Sequence, residues 1–241
     1  MKRFYKSVCV GEGNDILLDG RTLKTPRGAA VELPTSPLAE AVAREWRAQG
    51  DEIVPASMPL TKLANAAIDG AMSRRDEIRE EIVKFARHDH LCYRANGPAE
   101  LVRRQSAGWD PILEWAAARY GARLLTQAGV MSVAQPPAAI DALRSALEPF
   151  QSFELAALHV MTTICGSLVL ALAVANKRVS AEEAFALSQI DERFQAERWG
   201  VDPEAASRAK KLQEEFKAAV EFFELLEISP SPPLRGGRGI G

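Results

Sequence analysis

The apolar positions of this chain first come in short alternating runs and then fall into a helical period for most of its length. Residues 4–10 (FYKSVCV) and 14–24 (NDILLDGRTLK) are short and rich in β-formers, separated by Gly11 and Gly13. Asp19-Gly20 lies between Ile16-Leu17-Leu18 and Arg21-Thr22-Leu23. A two-residue type I′ hairpin prefers this pair because both central positions need positive φ. Val31-Glu32-Leu33 follows the Pro26-Arg27-Gly28 turn and reads as another short strand. Thr35 or Ser36 then caps a helix over residues 37–49, along which Leu38, Ala41, Val42, Glu45 and Trp46 recur at helical spacing until Gly50. The pattern predicts a small antiparallel sheet with one helix against it.

Beyond Pro55 and Pro59 the period is helical, and it predicts helices over 60–72, 75–87, 98–119, 138–147, 152–176, 181–199 and 203–226. Ser180 with Glu183 forms a capping box, and Asp202-Pro203 is a cap followed by proline at the first helical position. Residues 121–135 read as extended, either an irregular connection or a short hairpin. Val160 to Ala175 carries no charge, but its 16 residues fall short of a membrane span, which needs about 20. It reads as a helix buried on nearly all sides, with His159 a hydrogen-bonded core residue. From Ser229 the chain turns to SPSPPLRGGRGIG, which reads as a disordered tail.

The fold class is therefore α+β: a β-rich N-terminal domain with one helix at 1–57, an all-helical domain at 58–226, and a tail at 227–241. A hydrophobic fraction of 47% excludes wholesale disorder. With 30 Lys+Arg against 32 Asp+Glu there is no basic field to neutralise phosphates, so nucleic acid is not an expected partner. Three cysteines, Cys9, Cys92 and Cys165, are odd in number and far apart, which suits a reducing compartment. The start, MKRFYK, has no apolar run and predicts no secretory signal; it is also too short for a transit peptide, so an organellar version would be a processed form.

Candidate chemistry is sparse. In His88-Asp89-His90-Leu91-Cys92, a helix would align His88 with Cys92, and a strand would align His90 with Cys92. Either way two ligands converge where zinc wants three or four. The first reading is a helix end with surface histidines and a packed cysteine; a metal- or cysteine-dependent enzyme using His88, His90 and Cys92 is the alternative. The sequence contains no P-loop, no Gly-x-Ser-x-Gly and no His-Glu-x-x-His. The expectation is no enzyme, with no catalytic residue, no cofactor and no metal. Segment 188–204, SQIDERFQAERWGVDPE, sets acidic Asp191, Glu192 and Glu197 beside Phe194 and Trp199. It reads either as an amphipathic helix burying Ile190, Phe194 and Trp199, or as a face whose acids and exposed aromatics meet an Arg-bearing partner.

The order of short motifs adds a resemblance. Arg3-Phe4-Tyr5-Lys6, Leu18-Asp19-Gly20-Arg21-Thr22-Leu23-Lys24-Thr25-Pro26, Glu45-Trp46 with Gln49, and Met58-Pro59-Leu60-Thr61 with Ala67-Ile68-Asp69 occur in turn. Leu91-Cys92-Tyr93-Arg94-Ala95, Gln105 with Trp109-Asp110-Pro111, and Phe194-Gln195 with Trp199-Gly200 follow. Across residues 3 to 224 the chain resembles the Atp-twelve family, assembly chaperones for the F-one sector of ATP synthase. The resemblance implies a β-rich part joined to a helical part. It also implies an ATP-independent chaperone that binds the unassembled α subunit of the F-one ATPase, without nucleotide, nucleic acid or membrane insertion. The pair Asp191-Glu192 falls where the family has a functionally important acidic residue. Glu192 is preferred for that role and Asp191 is the near alternative, with Glu197 and Trp199 as further partner-binding candidates. The implied location is the bacterial cytoplasm, or the mitochondrial matrix for a processed organellar form.

Overall fold

A computed structural model describes residues 1–71, 74–129, 131 and 133–226; the predicted tail from Ser229 lies outside them. Strands β1 (Val8–Val10), β2 (Ile16–Leu18) and β3 (Arg21–Thr22) form an antiparallel sheet in that order. Leu18 pairs with Arg21 across the predicted turn. Asp19 (φ 49) and Gly20 (φ 78) both take the positive φ that the turn demands. The expected strand at Val31-Glu32-Leu33 does not form a ladder. The segment touches the sheet at the single bridges Asp15–Glu32 and Lys24–Ala30, and Pro34 stops it from extending. Val31 and Leu33 still point into the core.

Helix α1 (Ser36–Arg47) is capped by Thr35, whose hydroxyl accepts from the Leu38 N–H at 3.4 Å. It buries Leu38, Ala39, Ala41, Val42, Ala43 and Trp46 against the sheet and the body. The helical part then runs α2 (Pro59–Ala66), α3 (Arg75–Arg87), α4 (Ala99–Tyr120) and α5 (Pro137–Ala146). It continues through α6 (Ser152–Cys165), α7 (Leu168–Ala175), α8 (Ala181–Ser188), α9 (Ile190–Trp199) and α10 (Pro203–Leu226). Both predicted caps form: Ser180 and Glu183 exchange bonds as a capping box, and Asp202 accepts from the Glu204 N–H at 3.0 Å.

Two predicted helices are each broken in two, for local reasons. The helix expected over 152–176 stops at Gly166 (φ 62), where left-handed backbone ends α6, and Ser167 caps α7 by accepting from Leu170 N–H at 3.0 Å. The helix expected over 181–199 breaks after Ser188, whose hydroxyl turns back to donate to the Phe185 carbonyl at 2.9 Å. The helix expected over 60–72 passes from α2 into a π-helical turn over Ala67–Ala71.

His159 is a correction. It is half-exposed, with Nε2 at 3.5 Å from the Glu81 carboxylate, rather than a core residue. The buried stripe of α6 runs through Leu158, Met161, Thr162 and Cys165, and position 159 lies about 100° around the helix from its centre. Among the described residues of 121–135 no hairpin forms. Within them β5 (Gln127–Ala128) pairs in parallel with β4 (Tyr93–Arg94), in the register Tyr93–Gln127 and Arg94–Ala128. Helix α4 supplies the crossover that a parallel pair requires.

Helix α7 is the centre of the body, buried from Leu168 to Val174. Among the described residues no helix is long and apolar enough to cross a membrane. One apolar core runs from Ile16, Leu38 and Val42 of the β-rich part into Leu60, Leu158, Leu172 and Phe222 of the helical part. Polar bonds close the seam above it. The Glu45 carboxylate on α1 accepts from Leu60 N–H (2.8 Å), Thr61 N–H (2.8 Å) and the Thr61 hydroxyl (2.7 Å), and so caps α2 from a distance. Burial pushes that carboxyl above its ordinary value despite these donors. Thr25 donates to Asp69 at 2.6 Å, Tyr5 to the Trp46 carbonyl at 2.7 Å, and Thr35 to the Leu225 carbonyl at 2.6 Å.

Candidate functional site

The acidic-aromatic segment lies on α9, which packs across α4. The approach is close because Gly108 faces the α8–α9 junction: a Cβ there would meet Leu187 Cδ2 at 2.8 Å and Ile190 Cδ1 at 2.9 Å. Phe194 is the one large side chain of α9 buried against this face. Arg104 of α4 and Arg198 of α9 lie over its ring, at 5.4 and 5.0 Å from the centroid.

The adjacent acids face different ways. Asp191 is half-buried and accepts from Gln105 Nε2 at 2.6 Å. Gln105 is itself buried, and its Oε1 accepts from the Ala95 N–H at 2.8 Å. Glu192 is exposed to solvent. Glu197 pairs with Arg104 at 2.7 Å, and Arg104 also pairs with Glu100 at 2.9 Å. Hydrogen bonds from Arg103 and Arg104 hold the Glu100 carboxyl below its usual range.

Trp199 does not join the core, as the amphipathic reading would have it; it is 76% exposed, and Val201 is 68% exposed beside it. Gly200 (φ 92, ψ 161) ends α9 in a conformation open to glycine, and the chain turns there into α10. Residues 203–208 are exposed as well, so the α9–α10 corner protrudes from the body. The structure thus brings Asp191, Glu192, Glu197 and Trp199 onto one short helix, with one acid tied inward, one paired sideways, and Glu192 and Trp199 facing out.

The His88–Cys92 segment adopts neither of the geometries weighed above. His88 lies just past α3, and residues His90–Cys92 form a single 3-10 turn. His88 Nδ1 lies 3.1 Å from the Tyr93 hydroxyl, and the His90 ring sets its edge on Trp109 at 5.0 Å. Cys92 is fully buried, and burial, followed by the nearby Asp89 charge, pushes its thiol up to about 12. A thiol so high stays protonated and is a poor nucleophile or ligand. Among the described residues no group of three His, Cys, Asp or Glu is arranged to hold a metal ion.

Sequence reasoning gave Asp89 no role. It is fully buried, accepts from Leu91 N–H and Val169 N–H, each at 3.1 Å, and so ties the turn before β4 to the start of α7. Burial raises its carboxyl to about 6. Gln105 was likewise seen only as part of a motif. Its spacing from Trp109, four residues apart on one helix, is the signal that the two share a face. Trp109 donates from that face to the Leu187 carbonyl at 2.8 Å and carries Arg94 over its ring at 5.1 Å.

Comparisons with known proteins identify the fold and the family. Residues 2–117 match the family described as ATP12 chaperone protein. The crystal structure of Atp12 from Paracoccus denitrificans is similar, with a TM-score of 0.88 and 41% identity, covering 94% of this chain and 98% of that one. A protein of Agrobacterium tumefaciens described as a candidate chaperone aligns with a TM-score of 0.89 and 42% identity, over 94% of this chain and 86% of that one. The mitochondrial protein atp12 of Schizosaccharomyces pombe is 28% identical over 214 residues, 83% of this chain and 74% of that protein. By class, then, a β-rich head sutured to a helical body is here the fold of a chaperone. The chain belongs to the Atp12 chaperone family.

Proposed function

We propose that the protein is an ATP-independent chaperone of ATP-synthase assembly that holds the unassembled α subunit of the F-one sector until its neighbours arrive. An unassembled subunit exposes apolar surface that is later buried against its neighbours, and such surface aggregates when left free. The observation that carries the reading is the protruding α9–α10 corner, where Trp199 is 76% and Val201 68% exposed. An exposed Trp on a helix that also carries charged side chains has the composition of a binding hot spot. Membership of the Atp12 family supports the same reading. Glu192, Glu197 and Trp199 form the partner-binding face, with Asp191 tied inward behind it, and the protein performs no catalysis. The head, 1–57, braces the body, 58–226, which presents the face. A bacterial version works in the cytoplasm, and a processed organellar one in the mitochondrial matrix.

Co-expression with the cognate α subunit tests this. The expected result is a co-purifying complex and more soluble α subunit. No complex and no gain in solubility would remove the proposal. Within it, Glu192→Lys is expected to weaken the complex several-fold while stability stays within about 0.5 kcal/mol of wild type, as for most exposed positions.

A further inference from the structure

Of the two adjacent acids on α9, the one turned inward is connected to a strand through a single buried side chain. Gln105 is 1% exposed, and both ends of its amide are used. Its Nε2 donates to Asp191 at 2.6 Å and its Oε1 accepts from Ala95 N–H at 2.8 Å. Ala95 directly follows β4, whose parallel partner β5 is followed by Gly129 (φ 85). A Cβ on Gly129 would meet the Asn96 amide at 2.9 Å, so the two strand exits sit directly against each other. A second tie holds the same strand: Arg94 pairs with Asp110 at 2.7 Å, stacks on Trp109 and donates to the Leu91 carbonyl at 3.0 Å. Two hydrogen bonds and one side chain therefore separate the start of α9 from β4.

We propose that Gln105 is a positioning residue of the partner-binding face: it fixes the start of α9 against β4 and thereby sets how the α9–α10 corner is presented. The inference rests on the chaperone reading above and deepens it. In this arrangement Asp191 serves as a hydrogen-bond acceptor for Gln105, and the charge available to a partner is that of Glu192. The chemistry separates the two roles. An amide at position 191 keeps an oxygen to accept from Gln105 but loses the negative charge. A methyl keeps neither. A leucine at position 105 retains bulk but removes both polar ends and leaves a half-buried acceptor and a half-buried donor unpaired.

The test uses the full-length protein and the cognate α subunit, with variants Asp191→Asn, Asp191→Ala, Gln105→Leu and the double variant Asp191→Ala/Gln105→Leu. Affinity is measured for each, and exchange of the Ala95 amide proton is followed in the free protein. Asp191→Asn is expected to bind within about twofold of wild type. Asp191→Ala and Gln105→Leu are each expected to lose about tenfold, with the double variant no worse than the poorer single, since coupled residues are non-additive. Ala95 exchange should be slow in wild type and Asp191→Asn and at least about tenfold faster in Gln105→Leu, because a broken bond opens locally. If Asp191→Asn binds as poorly as Asp191→Ala, the partner reads the charge itself and the positioning role is overturned. Additive losses, or Ala95 exchange unchanged in Gln105→Leu, overturn it too. Those outcomes are distinct from a wild-type protein that captures no α subunit, which removes the chaperone reading and the face with it.

Discussion

The interior seams of this molecule and its α9–α10 corner are built from the same kinds of residue, used in opposite directions. Along the seams the acids point inward. Glu45 gathers three donors from the start of α2, Asp69 holds Thr25, and Asp89 joins the turn before β4 to α7. The aromatics there are covered, Trp46 and Trp109 among them. At the corner Trp199 and Val201 stand in solvent, Glu192 faces out, and Glu197 is held only by an exposed arginine pair. The acids and tryptophans that the short motifs turn inward are therefore fasteners of the fold. The surface left for a partner is a much smaller set, and motif density along the chain does not locate it.

The comparison can be broken most sharply at Asp89. Burial holds its carboxyl at about 6 against an ordinary 3.8, so between those values the folded chain keeps a proton that the unfolded chain has released. Stability contributed by this group is greatest near pH 4, falls as pH rises through 6, and is level above it. Relative to Asp89→Asn, wild type is expected to lose about 2.5 kcal/mol between pH 4 and pH 7 in urea unfolding. A pH-independent gap between the two would mean that Asp89 is not the buried acid described here.

Glu45→Ala comes next. Removing a cap that satisfies two backbone donors and a hydroxyl is expected to cost about 2 kcal/mol, seen as a lower melting temperature, with binding per folded molecule unchanged. Loss of binding without loss of stability would make the seam part of the site. Trp199→Ala is expected to do the reverse, weakening capture of the α subunit about tenfold while stability moves by less than about 0.5 kcal/mol. A large fall in stability would turn the corner into another seam. The smallest effect is that of Arg104→Ala, which frees Glu197 and Glu100 at the surface and is expected to leave the melting temperature almost unchanged, any loss fading further at high salt.

Much of the architecture is legible in the sequence. The Asp19-Gly20 hairpin, the helix over 75–87 and the Ser180 and Asp202 caps follow from local rules, and they form as read. The misreadings share a cause. Gly166 and Ser188 interrupt apolar runs that look continuous, because the period of hydrophobic residues carries across a break that a left-handed residue or a back-bonded hydroxyl makes. The greasy run around His159 suggests a core position, while the stripe that faces inward is centred about 100° away. Of the candidate site, the helix and its residue types were visible. Which acid turns inward was not, since Asp191 and Glu192 are chemically alike and only the position of α4 separates them.

Local spacing alone determined the β-rich start, the helical remainder and the turn and cap chemistry between them, because each depends on residues within a few positions of one another. Tertiary structure alone decided that Gln105 meets Asp191 across 86 residues, that Asp89 meets Val169 across 80, and that Trp199 stays outside. Those outcomes depend on which helix lies against which, and nothing within a few residues of Trp199 distinguishes a side chain with a helix above it from one with only water.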